Sequence, residues 1–178
     1  MFAAAPASAQ DQFLDKLTAC QDAYREQHYL EAESLCGAAV KLADSLPAGR
    51  KNDRVTVHAV YAQVFLAERK FPEALIQAEQ ELSIAESFMK PDQPDLAYVH
   101  YHAALAFHMN GKSDPALANY KAAEEILRQA IDHTSDEYVK DKYVTTLKQV
   151  LHAHAGLLKQ TNHATAAAAL DREAAQLH

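Results

Sequence analysis

A four-residue motif that returns at a fixed spacing constrains the fold of this 178-residue chain more than any other feature. It reads Tyr-Leu-Glu-Ala at 29–32, Phe-Pro-Glu-Ala at 71–74 and Ser-Asp-Pro-Ala at 113–116, so successive copies lie 42 residues apart. A weaker copy, His-Ala-Thr-Ala at 163–166, follows after a further 50 residues. A period in this range is typical of a stack of similar supersecondary units. The sequence therefore predicts a repeat protein rather than a single globular core.

The composition predicts that these units are helical. Glycine occurs 4 times and proline 6 times, while alanine, leucine, glutamate and glutamine, which favour helices, are abundant. No segment alternates polar and apolar residues between turn signals, as strands do. Breakers divide the chain into eight helices in four antiparallel pairs. We expect Asp95 to cap the fifth helix, Ser113 or Asp114 the sixth, and a capping box at 134–137 to open the seventh.

Charge and motif content exclude several functions. The net charge of −7 and the lack of a Lys/Arg stripe argue against a nucleic-acid partner. No run of about 18 apolar residues indicates a membrane span. Phosphate loops, serine elbows and inward Glu-x-x-His pairs are missing, so we expect no enzymatic activity and no cofactor. The acidic side chains expected on solvated faces of trailing helices are Glu79, Glu81, Glu86, Glu124 and Glu125.

The first ten residues have two interpretations. They are small and apolar, and Ala-Ser-Ala at 7–9 has the form that signal peptidase recognises. A basic region and a long apolar region do not precede this site. Residues 1–10 are therefore a signal-peptide remnant, which predicts a periplasmic or secreted bacterial protein, or a disordered terminus, which leaves the protein in the cytoplasm. In both cases we place the repeat domain at 11–178.

Three kinds of position recur with the motif. Small residues fall midway along the leading helix of each pair at Cys20, Ala62 and Ala104, and aromatic residues occupy the turn at Tyr29 and Phe71. Alanines stand where the two helices of a pair are expected to touch, at Ala32, Ala74, Ala116 and Ala166. Together these positions resemble the tetratricopeptide (TPR) repeat. Since the usual TPR period is about 34 residues, the spacing of 42 resembles the longer variant of kinesin light chains and bacterial peptide-sensing regulators.

The resemblance implies an all-α solenoid of about four helix pairs that curves into a right-handed superhelix. Its concave groove, lined by the leading helices, would bind a peptide or helix from a partner protein. The alternative is that this inner face closes on itself or on a second copy, which gives a homodimer. The groove residues that the resemblance implies are Gln21, Tyr24, Arg25, Gln63, Leu66, Tyr98, Tyr101, His102, Leu105, His108, Met109, Lys148, Leu151, His152 and Lys159.

Three function classes follow from this fold. The first is a non-enzymatic adaptor or scaffold that presents the groove to a protein partner. The second is a regulator that senses a small molecule or peptide in a groove rich in histidine and tyrosine. The third is a metal- or haem-binding helical protein, which the absence of a ligand motif makes the weakest. We therefore predict an adaptor without metal.

The two cysteines have two interpretations. Cys20 and Cys36 lie equally far from the turn at His28, so both stand at the same height of a helical hairpin. They either form a disulfide or remain two buried thiols, as is common in a cytosolic protein.

The ten histidines do not form a chelating motif. His100 with His102, and His152 with His154, are two residues apart, which directs each pair about 200° apart around a helix. We expect His58 and His100, which occupy equivalent positions, to hydrogen-bond across their helix pairs. The histidines of the groove predict pH-dependent partner binding, because histidine titrates near pH 6.5.

Overall fold

The computed structural model describes residues 8–47 and 50–177, and these residues contain α-helices and no strand. This confirms the all-α prediction. The helices are α1 (Ala9–Arg25), α2 (Tyr29–Ala43), α3 (Lys51–Ala67), α4 (Phe71–Glu86), α5 (Pro94–Met109), α6 (Ser113–His133), α7 (Glu137–Gln160) and α8 (Ala164–Gln176). The chain divides into two compact units, Met1–Ala85 (unit 1) and Glu86–His178 (unit 2).

Helix α1 begins before the predicted domain boundary at Asp11. Ser8 caps it, because the Ser8 hydroxyl accepts a hydrogen bond from the Asp11 amide at 3.1 Å. The Asp11 carboxylate in turn accepts one from the Ser8 amide at 3.1 Å. This reciprocal pair is a capping box, which satisfies two amides at the helix start. Ser8–Gln10 therefore belong to the helical region, and residues 1–7 of the predicted remnant lie outside the described residues.

Three predicted caps differ from the observed ones. The N-cap of α5 is Gln93, because Pro94 occupies the first turn and its fixed φ suits that position. The N-cap of α6 is Lys112, so Ser113 and Asp114 lie inside the helix. Helix α7 is capped by Asp136, whose carboxylate accepts a hydrogen bond from the Val139 amide at 3.1 Å. The predicted capping box at 134–137 is therefore wrong by two residues.

The turn inside each helix pair has the same backbone geometry. One residue per turn has a positive φ of 61–70°: Gln27, Arg69, Gly111 and Asn162. The next residue donates its amide to a carbonyl five positions earlier, as His28 does to Ala23 at 2.8 Å. This closure satisfies carbonyls at the end of the leading helix. The four turn residues are 42, 42 and 51 residues apart, so the fourth repeat is one residue out of the predicted register.

The contact alanines are buried as predicted, with one correction. Ala32, Ala74 and Ala116 have no exposed surface, and small residues at a crossing let helix axes approach to about 8–10 Å. The predicted fourth member, Ala166, is exposed, while Ala167 is fully buried. Because Ala167 lies 51 residues after Ala116, it agrees with the register of the turns. The small residues Ala62 and Ala104 are also buried.

Each unit has its own apolar core. In unit 1, Phe13 and Leu17 of α1 pack against Ala39 and Ala43 of α2 and Val57 of α3. A second cluster of the same unit surrounds the two cysteines. In unit 2 the largest fully buried apolar side chains are Tyr120, Leu127, Leu147, Val150, Leu151 and Leu157. The apolar faces of α6 and α7 thus supply most of the unit 2 core.

Candidate functional site

The leading helices of unit 2 share an open surface, which we call the α5–α7 face. It encloses a shallow pocket of about 370 Å³. Tyr98 of α5 contacts α7 here, since its phenol oxygen lies 3.4 Å from Oγ1 of Thr146. The lining residues are Tyr98, Tyr138, Asp141, Lys142, Thr145, Thr146 and Gln149. Seven side chains from two helices thus form one continuous lining.

The α5–α7 face combines aromatic rings with polar groups. Tyr138 is 70% exposed, and the Lys142 Nζ lies 4.3 Å from the centroid of its ring. An ammonium over an aromatic face is attracted by the ring quadrupole. One lysine and one aspartate are the charged lining residues, so this surface has little net charge. It can pack against apolar side chains and hydrogen-bond a peptide backbone.

The predicted groove residues of α5 do not all lie on this face. Tyr98 does, whereas Tyr101 lies against α6, with its ring centroid 6.4 Å from that of Tyr120. Burial raises the pKa of the Tyr101 phenol. His108 lies 3.2 Å from the Tyr120 hydroxyl through Nδ1 and 3.1 Å from the Gln160 amide oxygen through Nε2. His102 and Leu105 are half-buried and Met109 is exposed.

The predicted groove residues of α7 lie elsewhere in unit 2. Leu151 is fully buried, and Lys148 is half-buried. His152 and Lys159 both contact Asp171 of α8, at 3.3 Å and 2.7 Å. For Lys148 and Leu151 the reason is the register: a spacing of 50 was assumed where the turns lie 51 residues apart, and one residue rotates a helix face by about 100°. At the spacing of 51, His152 and Lys159 are the equivalents of Tyr101 and His108. All four contact the trailing helix of their own pair. The true small residue of α7 is the fully buried Ala155.

Sequence reasoning missed six of the seven residues of the α5–α7 face. All six lie on α7, which has 24 residues against 16 in α5. The extra length lies before the segment that matches α5, so the repeat pattern carried no information about Tyr138, Asp141 and Lys142. The other three missed residues lie inside the matching segment. Alignment on the turn at Asn162 would have made Gln149 the repeat equivalent of Tyr98, because 51 residues separate these two residues, as they separate Gly111 from Asn162.

The predicted groove residues of unit 1 lie on α1 and α3. Tyr24 packs against the cysteine cluster of unit 1, and its ring centroid is 6.1 Å from that of Tyr29. Burial raises the pKa of the Tyr24 phenol. Arg25 is exposed and pairs with Asp22 one turn earlier. The remaining unit 1 residues, Gln21, Gln63 and Leu66, are half-buried.

A disulfide joins the first helix pair. Cys20 of α1 and Cys36 of α2 are bonded, with their Cα atoms 5.2 Å apart. Both cysteines are fully buried and pack with Ala23, Ala32 and Val64. The disulfide therefore lies where α1 and α2 cross, among small buried side chains.

Histidines connect the two helices within pairs, as predicted. His58 Nδ1 lies 2.8 Å from the Gln77 amide oxygen, and His100 Nδ1 lies 2.8 Å from that of Asn119. Each bond spans 19 residues. These histidines are structural members of the helix pairs.

Unit 2 also contains a buried polar network that the sequence did not predict. Glu124 of α6 is 6% exposed and lies 2.6 Å from Nδ1 of the buried His154 of α7. Its other oxygen accepts a hydrogen bond from Arg128 at 3.1 Å, and Arg128 donates to Glu173 of α8 at 2.7 Å. The expectation of a solvated Glu124 is therefore wrong, and so is that for Glu81, which is 1% exposed.

The described ranges contain no helix that is both long and apolar enough to cross a bilayer. Among the same residues, no group of three or more His, Cys, Asp or Glu side chains is arranged to hold a metal ion. The α5–α7 face is therefore described by the positions of its side chains on the two helices.

Comparison with known proteins supports the fold through structure. No protein-family model and no curated sequence matches the chain. A TPR-like protein from Chlorobium tepidum is 18% identical, with a TM-score of 0.62 over 84% of this chain and 96% of that one. A variant of the nearly identical TPR-like repeats assigned to a Podosopora anserina kinesin light chain is 14% identical, with a TM-score of 0.59 over 94% and 95%. BtubC from P. vanneervenii is 14% identical, with a TM-score of 0.51 over 96% and 91%.

These likenesses define the class of the fold. The chain has the fold of a TPR-type helical repeat protein, and TPR-like repeats assigned to a kinesin light chain are among its structural neighbours. At 14–18% identity the comparison establishes the fold alone.

Proposed function

We propose that this protein is a non-enzymatic adaptor that binds a peptide or helix from a partner protein on the α5–α7 face. A TPR-type fold supports a role as an interaction scaffold in general. The observation that carries the specific proposal is the exposed Tyr138 ring beside Tyr98 on a pocket of about 370 Å³. Large exposed aromatic side chains are enriched where proteins bind one another.

The chemistry of this face favours a protein segment. A tyrosine ring gives a large contact area and loses little conformational entropy on binding, because it has two rotatable side-chain bonds. Thr145 and Gln149 offer hydroxyl and amide groups to a peptide backbone. Since Lys142 and Asp141 have opposite charges, the face selects its partner by shape and hydrogen bonding more than by net charge. We expect the partner to insert an apolar or aromatic anchor between the two tyrosines.

The disulfide supports a proposal about compartment. Structural disulfides persist in oxidising compartments such as the bacterial periplasm and are rare in the cytosol. A fully buried Cys20–Cys36 pair fits an exported protein, so we propose a periplasmic or secreted location. Cell fractionation, with the protein recovered from the cytosol as a free dithiol, would refute it.

Peptide display on the immobilised protein tests the adaptor function. Peptides selected on the wild type should bind Tyr98→Ala and Tyr138→Ala at least about tenfold more weakly, because truncating an interface anchor costs about 2 kcal/mol or more and about 1.4 kcal/mol is tenfold. Leu30→Ala, which removes a side chain that is 77% exposed in unit 1, is the matched control and should bind normally. Equal affinity for all variants would overturn the proposal. If no peptide is selected and a small molecule raises the thermal unfolding midpoint instead, the sensor function is favoured.

A further inference from the structure

A second pocket of unit 2 lies beside α5 and α6 and shares no lining residue with the α5–α7 face. Its volume is about 460 Å³, within the roughly 300–1,000 Å³ of small-molecule sites. Leu96 of α5 and Ile126 of α6 are buried and form part of its wall. The other apolar lining residues are Met89, Pro91 and Ala122. This wall can hold the apolar body of a ligand.

Three carboxylates stand around this apolar wall. Glu86, Asp92 and Glu125 line the pocket, and within residues 8–47 and 50–177 their side-chain carboxylates make no hydrogen bond and no ion pair. No lysine or arginine lines the pocket. Carboxylates near one another and without a cation repel, and a bound cation relieves that repulsion. An anionic ligand is correspondingly disfavoured here.

His100 adds an independent preference for a hydrogen-bond donor. The Asn119 amide nitrogen donates to the Pro115 carbonyl at 2.9 Å, so the Asn119 amide oxygen is the acceptor for His100 Nδ1 at 2.8 Å. Nδ1 therefore carries the proton, and Nε2 of the neutral ring is an acceptor. Since His100 lines the pocket, the ring supplies an acceptor in addition to the carboxylates.

We propose that this pocket binds an organic cation in which an ammonium or guanidinium group is attached to an apolar body. The cationic head lies among Glu86, Asp92 and Glu125, and the body packs on Leu96 and Ile126. Both heads are rich in donors and lack acceptors, which matches a pocket of carboxylates and an acceptor imidazole. The same chemistry occurs in free amines and in basic side chains beside aromatic ones in a peptide.

Methyl NMR with defined probes tests this assignment. The methionine methyl of Met89 reports on the pocket, while that of Met109, which lines neither this pocket nor the α5–α7 face, is an internal control. Phenethylamine should shift the Met89 signal and leave Met109 unchanged, and phenethyl alcohol, its uncharged counterpart, should bind at least about fivefold more weakly. One solvent-exposed carboxylate–cation contact accounts for up to about that factor.

Variants distinguish this proposal from nonspecific binding. Glu86→Gln combined with Glu125→Gln should weaken the binding of phenethylamine by up to about 25-fold, from two such contacts, and Glu79→Gln on the exposed side of α4 should change nothing. Acetyl-Phe-Arg-amide is the peptide probe: tighter binding than phenethylamine assigns the pocket to a basic peptide, and weaker binding assigns it to a free amine. A shift of Met109 instead of Met89, equal binding of the alcohol, or an unaffected double variant would overturn the proposal.

Discussion

Removal of the Cys20–Cys36 bridge is the perturbation whose effect on stability follows most directly from the structure. The bridge links residues separated by 16 positions. In the chain-entropy model, cross-linking a loop of this length lowers the entropy of the unfolded chain by about 10 cal/mol/K. At 25 °C this contributes about 3 kcal/mol to the free energy of unfolding. The cross-link closes α1 onto α2, so unit 1 is the part of the chain that loses this stability.

Urea unfolding measures the loss. With a slope of about 2 kcal/mol/M, the midpoint for unit 1 should fall by roughly 1.5 M when the protein is reduced. Cys20→Ala combined with Cys36→Ala should show a similar fall and no further response to reductant. Before reduction, a thiol count on the unfolded protein should find none. A midpoint that reductant leaves unchanged in the wild type, or two reactive thiols in protein from an oxidising compartment, would refute the reasoning.

Three further predictions concern unit 2. Ala167→Leu should destabilise by about 1–3 kcal/mol, because it overfills a closed crossing, whereas Ala166→Leu on the exposed neighbour should stay within about 0.5 kcal/mol in thermal unfolding. Glu124→Ala should cost about 3 kcal/mol in chemical denaturation, since it leaves the buried His154 without its partner. Hydrogen bonds from Lys159 and His152 lower the pKa of Asp171 below 3.8. The contribution of these bonds to the stability of α8 is therefore fully present above pH 3.8 and is lost as the pH falls through the lowered pKa. Amide hydrogen exchange in α8 should become faster over the same pH range.

Each of these predictions has a result that contradicts it. Equal destabilisation by Ala166→Leu and Ala167→Leu would refute the register of 51 residues. A neutral Glu124→Ala would show that His154 finds another partner. If Asp171→Asn keeps the acid-dependent loss of protection in α8, the ion pair with Lys159 is not its cause.

Much of the fold was predictable because local signals agreed with one another. Glycine and proline marked the breaks between helices, whereas the individual capping residues were misassigned. The repeated alanine at Ala32, Ala74 and Ala116 marked the crossings of the first three helix pairs. Small side chains are required there whatever else the repeat contains. These signals are short-range, so they survive in a single sequence.

The candidate site was less predictable because it depends on exact register. The turn at Asn162 uses a positive φ of 61°, which asparagine tolerates better than most residues, but the motif was aligned on the alanine at 166 instead. That single-residue slip put the buried Leu151 into the predicted groove and left Gln149 out of it. The prediction for Glu124 was wrong for another reason: its burial depends on His154, which is 30 residues away, and no local pattern joins these two residues.

Hydrogen–deuterium exchange on the protein bound to its selected peptide tests the central claim most directly. Protection should increase in residues 94–102 of α5 and 138–149 of α7, and α8 should not change. Protection confined to α8, or to the side of α7 that carries His152 and Lys159, would contradict the assignment of partner binding to the α5–α7 face.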